Sequence, residues 1–346
     1  MTVERTLDAA RLERYLSVAE PSIGSVLSAH QIEGGQSNPT YLVTASSGRY
    51  VLRRKPPGTL LPSAHAVDRE FRVIRALQGT DVPVPKALCY CDDPSVIGTV
   101  FYVMEFVDGE VFREPELPTM TREQRTKVYD ELNRVIAALH SIDPAAVGLA
   151  DFGKTGNYAE RQIARWTKQY RASETERIDA MERLIDWLPQ HIPTDEEEQT
   201  RIIHGDYRIG NVIFDPHELR LLAVLDWELA TLGNPLADFA YHCMPYRLPH
   251  AMPSCAGGGN VAQLGIPSEA EYIKRYCQRT GRDAIRSFDF YSAFSMFRLA
   301  AILQGIRARE LQGNASSINA AEAGRMAGPL AEAGWAQASR LQSARH

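Results

Sequence analysis

Between positions 202 and 226 the chain has little choice of local structure. Ile202-Ile203 reads as a short strand ending at His204, and Gly205-Asp206-Tyr207-Arg208-Ile209-Gly210-Asn211 as a loop. Val212-Ile213-Phe214 is a second strand, Asp215-Pro216-His217 turns the chain back, and an apolar run from 221 to 225 ends on Asp226. A buried strand delivers the residue that follows it to a fixed place, so Asp206, Asn211 and Asp226 are expected to converge. Phosphoryl transfer asks for such a set. One carboxylate orients the attacking hydroxyl, and two oxygen ligands hold the magnesium that neutralises a triphosphate. The His-x-Asp-x-x-x-x-Asn spacing offers Asp206 as the base and Asn211 as one metal ligand, and Asp226 offers the other. An Asp and an Asn five apart occur by chance, and Gly-Asn is ordinary turn chemistry. The weight therefore rests on the strands that flank the motif.

The first hundred residues carry a different pattern. A leading helix is expected over 7–19, then a strand, a small-residue turn and a second strand over 32–43, with Tyr50-Val51-Leu52-Arg53-Arg54 as a third strand. The turn holds Gly34, Gly35, Ser37, Asn38 and Thr40, small enough for backbone amides to approach phosphate oxygens. An ordinary hairpin would look the same. Arg53 ends the third strand as a phosphate-pairing cation, where kinases usually carry Lys. Residues 67–77 form an amphipathic helix with Glu70 on its apolar face, and a buried acid needs a partner, for which Arg53 is the natural candidate. Residues 100–107 read as a central strand whose backbone at Glu105 and Val107 can meet an adenine edge, and Asp108-Gly109 marks a crossing.

Beyond that crossing the character is helical, over 121–140, 158–170, 175–188, 235–241, 269–280 and 290–309, with an Ala-rich helical tail from 311. Residues 245–267, rich in Gly and Pro, are either an ordered lid or disordered. The expected class is α+β in two lobes, a small antiparallel-sheet nucleotide-binding lobe over 1–107 and a mostly helical catalytic and substrate-binding lobe over 108–346. Asp238, in the first turn of its helix, is expected with His204 to brace the loop by accepting backbone amides. Tyr207, Arg208 and Arg298 are candidate substrate contacts, Arg298 with a buried ion pair as its competing role.

Composition narrows the partners. A net charge of -5 argues against nucleic acid, and no apolar stretch approaches the roughly 20 residues of a membrane span. Five cysteines without C-x-x-C spacing, and no signal peptide, suit reduced thiols in the cytoplasm. The oligomeric state is left open. Only eleven residues separate Asp226 from Asp238, too few for the docking segment of a protein-directed kinase.

Several segments resemble the aminoglycoside phosphotransferase-like kinases of the protein-kinase-like fold. They are Tyr50-Val51-Leu52-Arg53-Arg54, 204–211, 223–241 (AVLDWELATLGNPLADFAY), Leu264-Gly265-Ile266-Pro267-Ser268 and 294–305 (FSMFRLAAILQG). The branch they are most similar to is the phosphotransferase domain found alone in bacteria or fused ahead of some acyl-CoA dehydrogenases. The resemblance implies that Asp206 is the base, that Asn211 and Asp226 hold magnesium, that Arg53 pairs the phosphates of ATP, with GTP open, and that Glu70 pairs Arg53. Arg53 for Lys, and Asp226-Trp227-Glu228 for Asp-Phe-Gly, depart from better-known kinases; the missing Gly suggests a magnesium loop that does not flip. The association with acyl-CoA chemistry implies a hydroxyacyl chain or hydroxyacyl-CoA as acceptor. An aminoglycoside or other amino-sugar is the alternative, and a nucleotide-binding pseudokinase scaffold the rival of another class. No motif calls for a flavin dehydrogenase.

Overall fold

The computed structural model describes residues 7–32, 38–56, 66–193, 199–249, 252, 255–256, 261–313 and 320–343. The chain divides into two compact units. The first comprises Met1–Glu110, Ile213–Asp215 and Leu222–Ala230, and the second Val111–Val212, Pro216–Leu221 and Thr231–His346. An antiparallel-sheet region is followed by a helical one, the α+β class expected of the sequence.

In the first unit, α1 (Ala9–Ala19) starts at Asp8, whose side chain accepts the Arg11 amide. Then come β1 (Val26–Gln31), β2 (Thr40–Ala45), β3 (Gly48–Arg54), α2 (Val67–Leu77), β4 (Ala87–Cys91) and β5 (Phe101–Glu105). The strands form one antiparallel sheet in the order β1-β2-β3-β5-β4. Leu12 and Leu16 of α1 pack into a core with Tyr41, Val43, Leu52, Phe101 and Val103. Alternation along β2 buries Tyr41, Val43 and Ala45, as a strand with one covered face requires. The first strand lies earlier than the expected start at 32. It is an edge strand with no fully buried residue, Val26, Ser28 and Ala29 being half-buried and Leu27 exposed, so its alternation is faint in the sequence.

The second unit begins its helices with α3 (Arg122–Ser141), closed at its start by a reciprocal capping box between Thr121 and Gln124. It continues with α4 (Tyr158–Ala172) and α5 (Asp179–Trp187), the latter shorter than the helix expected over 175–188. β6 (Arg201–Ile203) leads into the motif loop; β7 (Val212–Phe214) and β8 (Leu221–Val224), next in chain order, fall mostly within the first unit, and β9 (Thr231–Gly233) is again in the second. β7 pairs with β8, and β6 pairs antiparallel with β9, a strand the sequence reading lacked because three residues ending in Gly carry no period. After α6 (Pro235–His242), a short α7 (Val261–Leu264) and α8 (Glu269–Thr280) comes α9 (Phe288–Leu311), which is apolar on every side. A helix of that kind has to be covered all round. It is packed by α4, α6, α10 (Ala320–Arg325) and α11 (Ala327–Ser343). Gly334 of α11 lets that approach happen, since a Cβ there would lie 3.1 Å from Cβ of Met296.

Within the expected lid, Leu248 and Met252 are buried, while 250, 251, 253, 254 and 257–260 lie outside the described residues. All five cysteines are free thiols. Among the described residues no helix is long and apolar enough to cross a membrane.

Candidate active site

β6 ends at Ile203, and the next two amides are taken by one side chain. His204 N and Gly205 N each donate to a different oxygen of Asp238 at 2.8 Å. Gly205 has φ 82°, a left-handed conformation that a side chain would strain. Asp238 sits in the first turn of α6, where the helix dipole favours a negative charge. Burial alone would raise its pKa. The hydrogen bond from His140, the charges of His140 and His204 and the His204 amide outweigh burial and hold it below the usual carboxylate value. Since the carboxylate only accepts, His140 Nε2 carries the proton, 3.2 Å from Asp238 Oδ2, and His140 Nδ1 meets the Tyr276 hydroxyl at 2.8 Å. The loop is thus anchored through α3, α6 and α8.

Asp206 is held at both oxygens. Tyr241 donates its hydroxyl to Oδ1 at 2.6 Å, Asn211 Nδ2 donates to Oδ2 at 2.8 Å, and Arg208 Nε stands 3.4 Å from Oδ2. Asn211 Nδ2 also bonds the Asp206 carbonyl at 2.9 Å, which fixes the amide so that its oxygen faces away from the carboxylate. Burial, then the Asp206 charge, raises the Tyr241 pKa, so the phenol stays a donor. Sequence reasoning missed Tyr241. The signal was there: Tyr241 follows Asp238 by three positions, so both lie on one face of α6.

Two expected substrate contacts are corrected. Tyr207 is fully buried, and its hydroxyl donates to the Leu132 carbonyl at 3.0 Å, which places it beyond a substrate's reach. Arg298 is also buried and donates to the Gly205 carbonyl at 2.7 Å, with its guanidinium over the rings of Trp166 and Tyr241 at 5.5 and 5.2 Å. It steadies the loop through a carbonyl and two aromatic faces rather than through substrate or an ion pair. Arg208 is exposed.

In the first unit, Arg53 Nε lies 3.2 Å from Glu70 Oε2 and its Nη2 3.3 Å from Asp226 Oδ1. Glu70 is wholly buried and also accepts Tyr102 Oη at 2.9 Å and Asn38 Nδ2 at 2.6 Å. Burial raises its pKa, and Arg53, Tyr102 and Asn38 pull the other way. The register that sets Arg53 opposite Tyr102 explains why both reach the same acid. Asp226 stands in the left-handed region at φ 64°, a conformation uncommon outside Gly, with its side chain partly exposed.

The Asn38 side chain bonds Glu70, and Thr40 Oγ1 donates to the Asn38 carbonyl at 3.1 Å. Gly34, Gly35 and Ser37 lie outside the described residues. The Glu105 amide is donated to the Lys86 carbonyl at 2.9 Å, which leaves the carbonyl as that residue's backbone group for an adenine edge; Val107 takes no backbone partner among the described residues.

Beside Asp206, within the second unit, is a cavity of about 310 Å³. Tyr129, Leu132, Leu299 and Met326 are among its walls, Arg208 and Tyr241 join it to the loop that carries Asp206, and Arg113 supplies a second cation. Among the described residues that line it there is no carboxylate. His242, also in the wall, donates Nδ1 to the Tyr207 carbonyl at 3.3 Å and accepts the Tyr272 hydroxyl at Nε2, 2.7 Å. Burial lowers its pKa from 6.5 to about 4.

The model of the phosphotransferase enzyme family matches residues 28–291. Acyl-CoA dehydrogenase family member 10 of Mus musculus is 48% identical over 328 residues, 94% of this chain. The chain spans only 30% of that relative's length. A crystal structure from Ralstonia eutropha, provisionally described as an aminoglycoside phosphotransferase, is 51% identical with a TM-score of 0.88, covering 96% of this chain and 99% of that one. Spectinomycin phosphotransferase APH(9)-Ia, solved with ADP and spectinomycin, has a TM-score of 0.64 over 96% of this chain and 98% of its own at 14% identity, a likeness of fold. With more than half of its length matched by that model, the chain belongs to the phosphotransferase enzyme family.

Proposed function

We propose that the protein transfers the terminal phosphoryl group of ATP to a hydroxyl on an acceptor with an apolar chain and an anionic end, a hydroxyacyl chain or hydroxyacyl-CoA. The cavity beside Asp206 carries this reading. Apolar walls with Arg113 and Arg208 and no lining carboxylate suit an anionic lipid-like acceptor, whereas a polycationic amino-sugar would want acids there. The mouse relative's name links a protein containing a homologous region to acyl-CoA chemistry.

In this reading Asp206, with both oxygens fixed by Tyr241 and Asn211, orients the acceptor hydroxyl and takes its proton as the new bond forms. Asn211 and Asp226 are the magnesium ligands. Their chemistry fits a hard cation: a carboxylate, and an amide whose Oδ1 has no partner among the described residues while its nitrogen is fully used. Magnesium would supply neutralisation of the phosphate charge. Arg53, held by Glu70, is the phosphate-pairing cation. The turn over Gly34, Gly35, Ser37, Asn38 and Thr40 is the phosphate cover, contributing backbone amides, and the Glu105 carbonyl with the Val107 backbone is the hinge contact to the base. With Asp206, Asn211 and Asp226 all present, a scaffold without turnover is the weaker reading.

The test is an acceptor panel of hydroxy fatty acids, hydroxyacyl-CoAs and aminoglycosides, read by ADP release with Mg-ATP and with Mg-GTP. Turnover confined to the hydroxyacyl compounds is expected. Turnover with aminoglycosides alone would overturn the acceptor class, and binding of Mg-ATP with no turnover on any acceptor would favour the scaffold.

A further inference from the structure

Resting on the acceptor reading above, we propose that Leu303, Ala323 and Met326 form an end wall that gauges the length of the acceptor's apolar chain. The cavity has a reactive end, where Tyr241 bonds Asp206 at 2.6 Å and Arg208 stands at the wall. Helix α9 gives it a direction. Arg298 pins one point of α9 to the catalytic loop through the Gly205 carbonyl at 2.7 Å, and the next residue, Leu299, lines the cavity. Leu303 lines it one turn further on, because positions four apart share a helix face. At a rise of about 1.5 Å per residue, Leu303 lies roughly 7 to 8 Å along the helix beyond Arg298.

Helix α10 closes that far end. Gly324 is seated against Arg307, where an added Cβ would lie 2.8 Å from the Arg307 Cβ, and Ala323 of α10 and Met326 just past its end line the cavity. A straight chain entering from Asp206 therefore runs beside α9 until it meets the α10 end. Ala323 leaves room there, and Met326 gives way without a sharp stop because its thioether chain adapts to what it touches.

The probe is a series of saturated straight-chain acyl-CoA thioesters, which lack the reacting hydroxyl, titrated by calorimetry into wild type, Ala323→Phe, Met326→Trp and Met326→Ala. For wild type, affinity should rise about three- to four-fold per methylene up to a limiting length and then level off. Ala323→Phe and Met326→Trp should move the limit to shorter chains with short-chain affinity unchanged, and Met326→Ala should move it to longer ones. The alanine variant decides the matter if a larger side chain prevents folding. Superimposable length profiles in all folded variants, or no binding of any chain to wild type, would overturn the gauge. A profile that shifts while no hydroxyacyl compound is phosphorylated would keep the gauge and sink the acceptor reaction; phosphorylation with unshifted profiles would sink the gauge alone.

Discussion

Tyr241 and Asn211 grip the two oxygens of Asp206 separately, so losing one leaves the carboxylate free to swing about the other. Tyr241→Phe removes only a hydroxyl and should lower turnover roughly 10- to 100-fold, the worth of a hydrogen bond to a charged group, with the melting temperature little changed. Steady-state ADP release and thermal melting check it; undiminished turnover would show that Asn211 alone orients Asp206. Glu70→Ala is the opposite case. It strands Arg53, Tyr102 and Asn38 around an empty place and should cost about 3 to 5 kcal/mol of stability. Denaturant unfolding measures that, and a cost under about 1 kcal/mol would mean that water replaces the acid. At this scale the sequence was legible where a residue type contradicted its setting, as Glu70 did on an apolar face. It was misleading where only proximity spoke. Tyr207 follows Asp206 directly, yet the loop turns it into the core, and Arg298 meets a carbonyl that no pattern in its own helix announces.

At the scale of elements, α6 is the hub of the second unit, and the titratable groups in its first and last turns, Asp238 and His242, set the response to acid. His242 is buried neutral, with its pKa lowered from 6.5 to about 4. Between those values the unfolded chain binds the proton first, so stability falls as pH falls through that window, by at most about 1.4 kcal/mol per pH unit. Asp238, whose folded pKa is depressed, adds stability that is present above its unfolded value and lost as pH falls through the folded one, at the acid end of the same titration. The melting temperature should therefore drop between pH 7 and pH 4, and His242→Gln should flatten the upper part of that drop. An unchanged slope in the variant would remove His242 from the account. α8 was legible to the residue because period, cap and stop agree, and α2 through its period alone, since Ala66 gives it no side-chain cap. β1 and β9 were not, one being an edge strand with no fully buried residue and the other a stretch of three residues whose pairing with β6 depends on tertiary contact.

Across the whole molecule, the family match runs over both units, and the chain visits the first unit again at Ile213–Asp215 and Leu222–Ala230. Sequence distance alone does not reveal such a return, which is why a single boundary near Val107 was the natural reading. A net charge of -5 describes the whole chain and locates nothing. The cavity near Asp206 carries two arginines and no carboxylate among the described residues that line it, a local balance opposite in sign to the total. The central claim is that Asp206 serves phosphoryl transfer to a hydroxyacyl acceptor. Its most direct test is mass spectrometry of that acceptor after incubation with Mg-ATP and either wild type or Asp206→Asn. The account predicts a phosphorylated product with wild type and a rate lower by about 10² to 10⁴ with the variant, while Mg-ATP binding persists. Equal rates of product formation by the two proteins would contradict it.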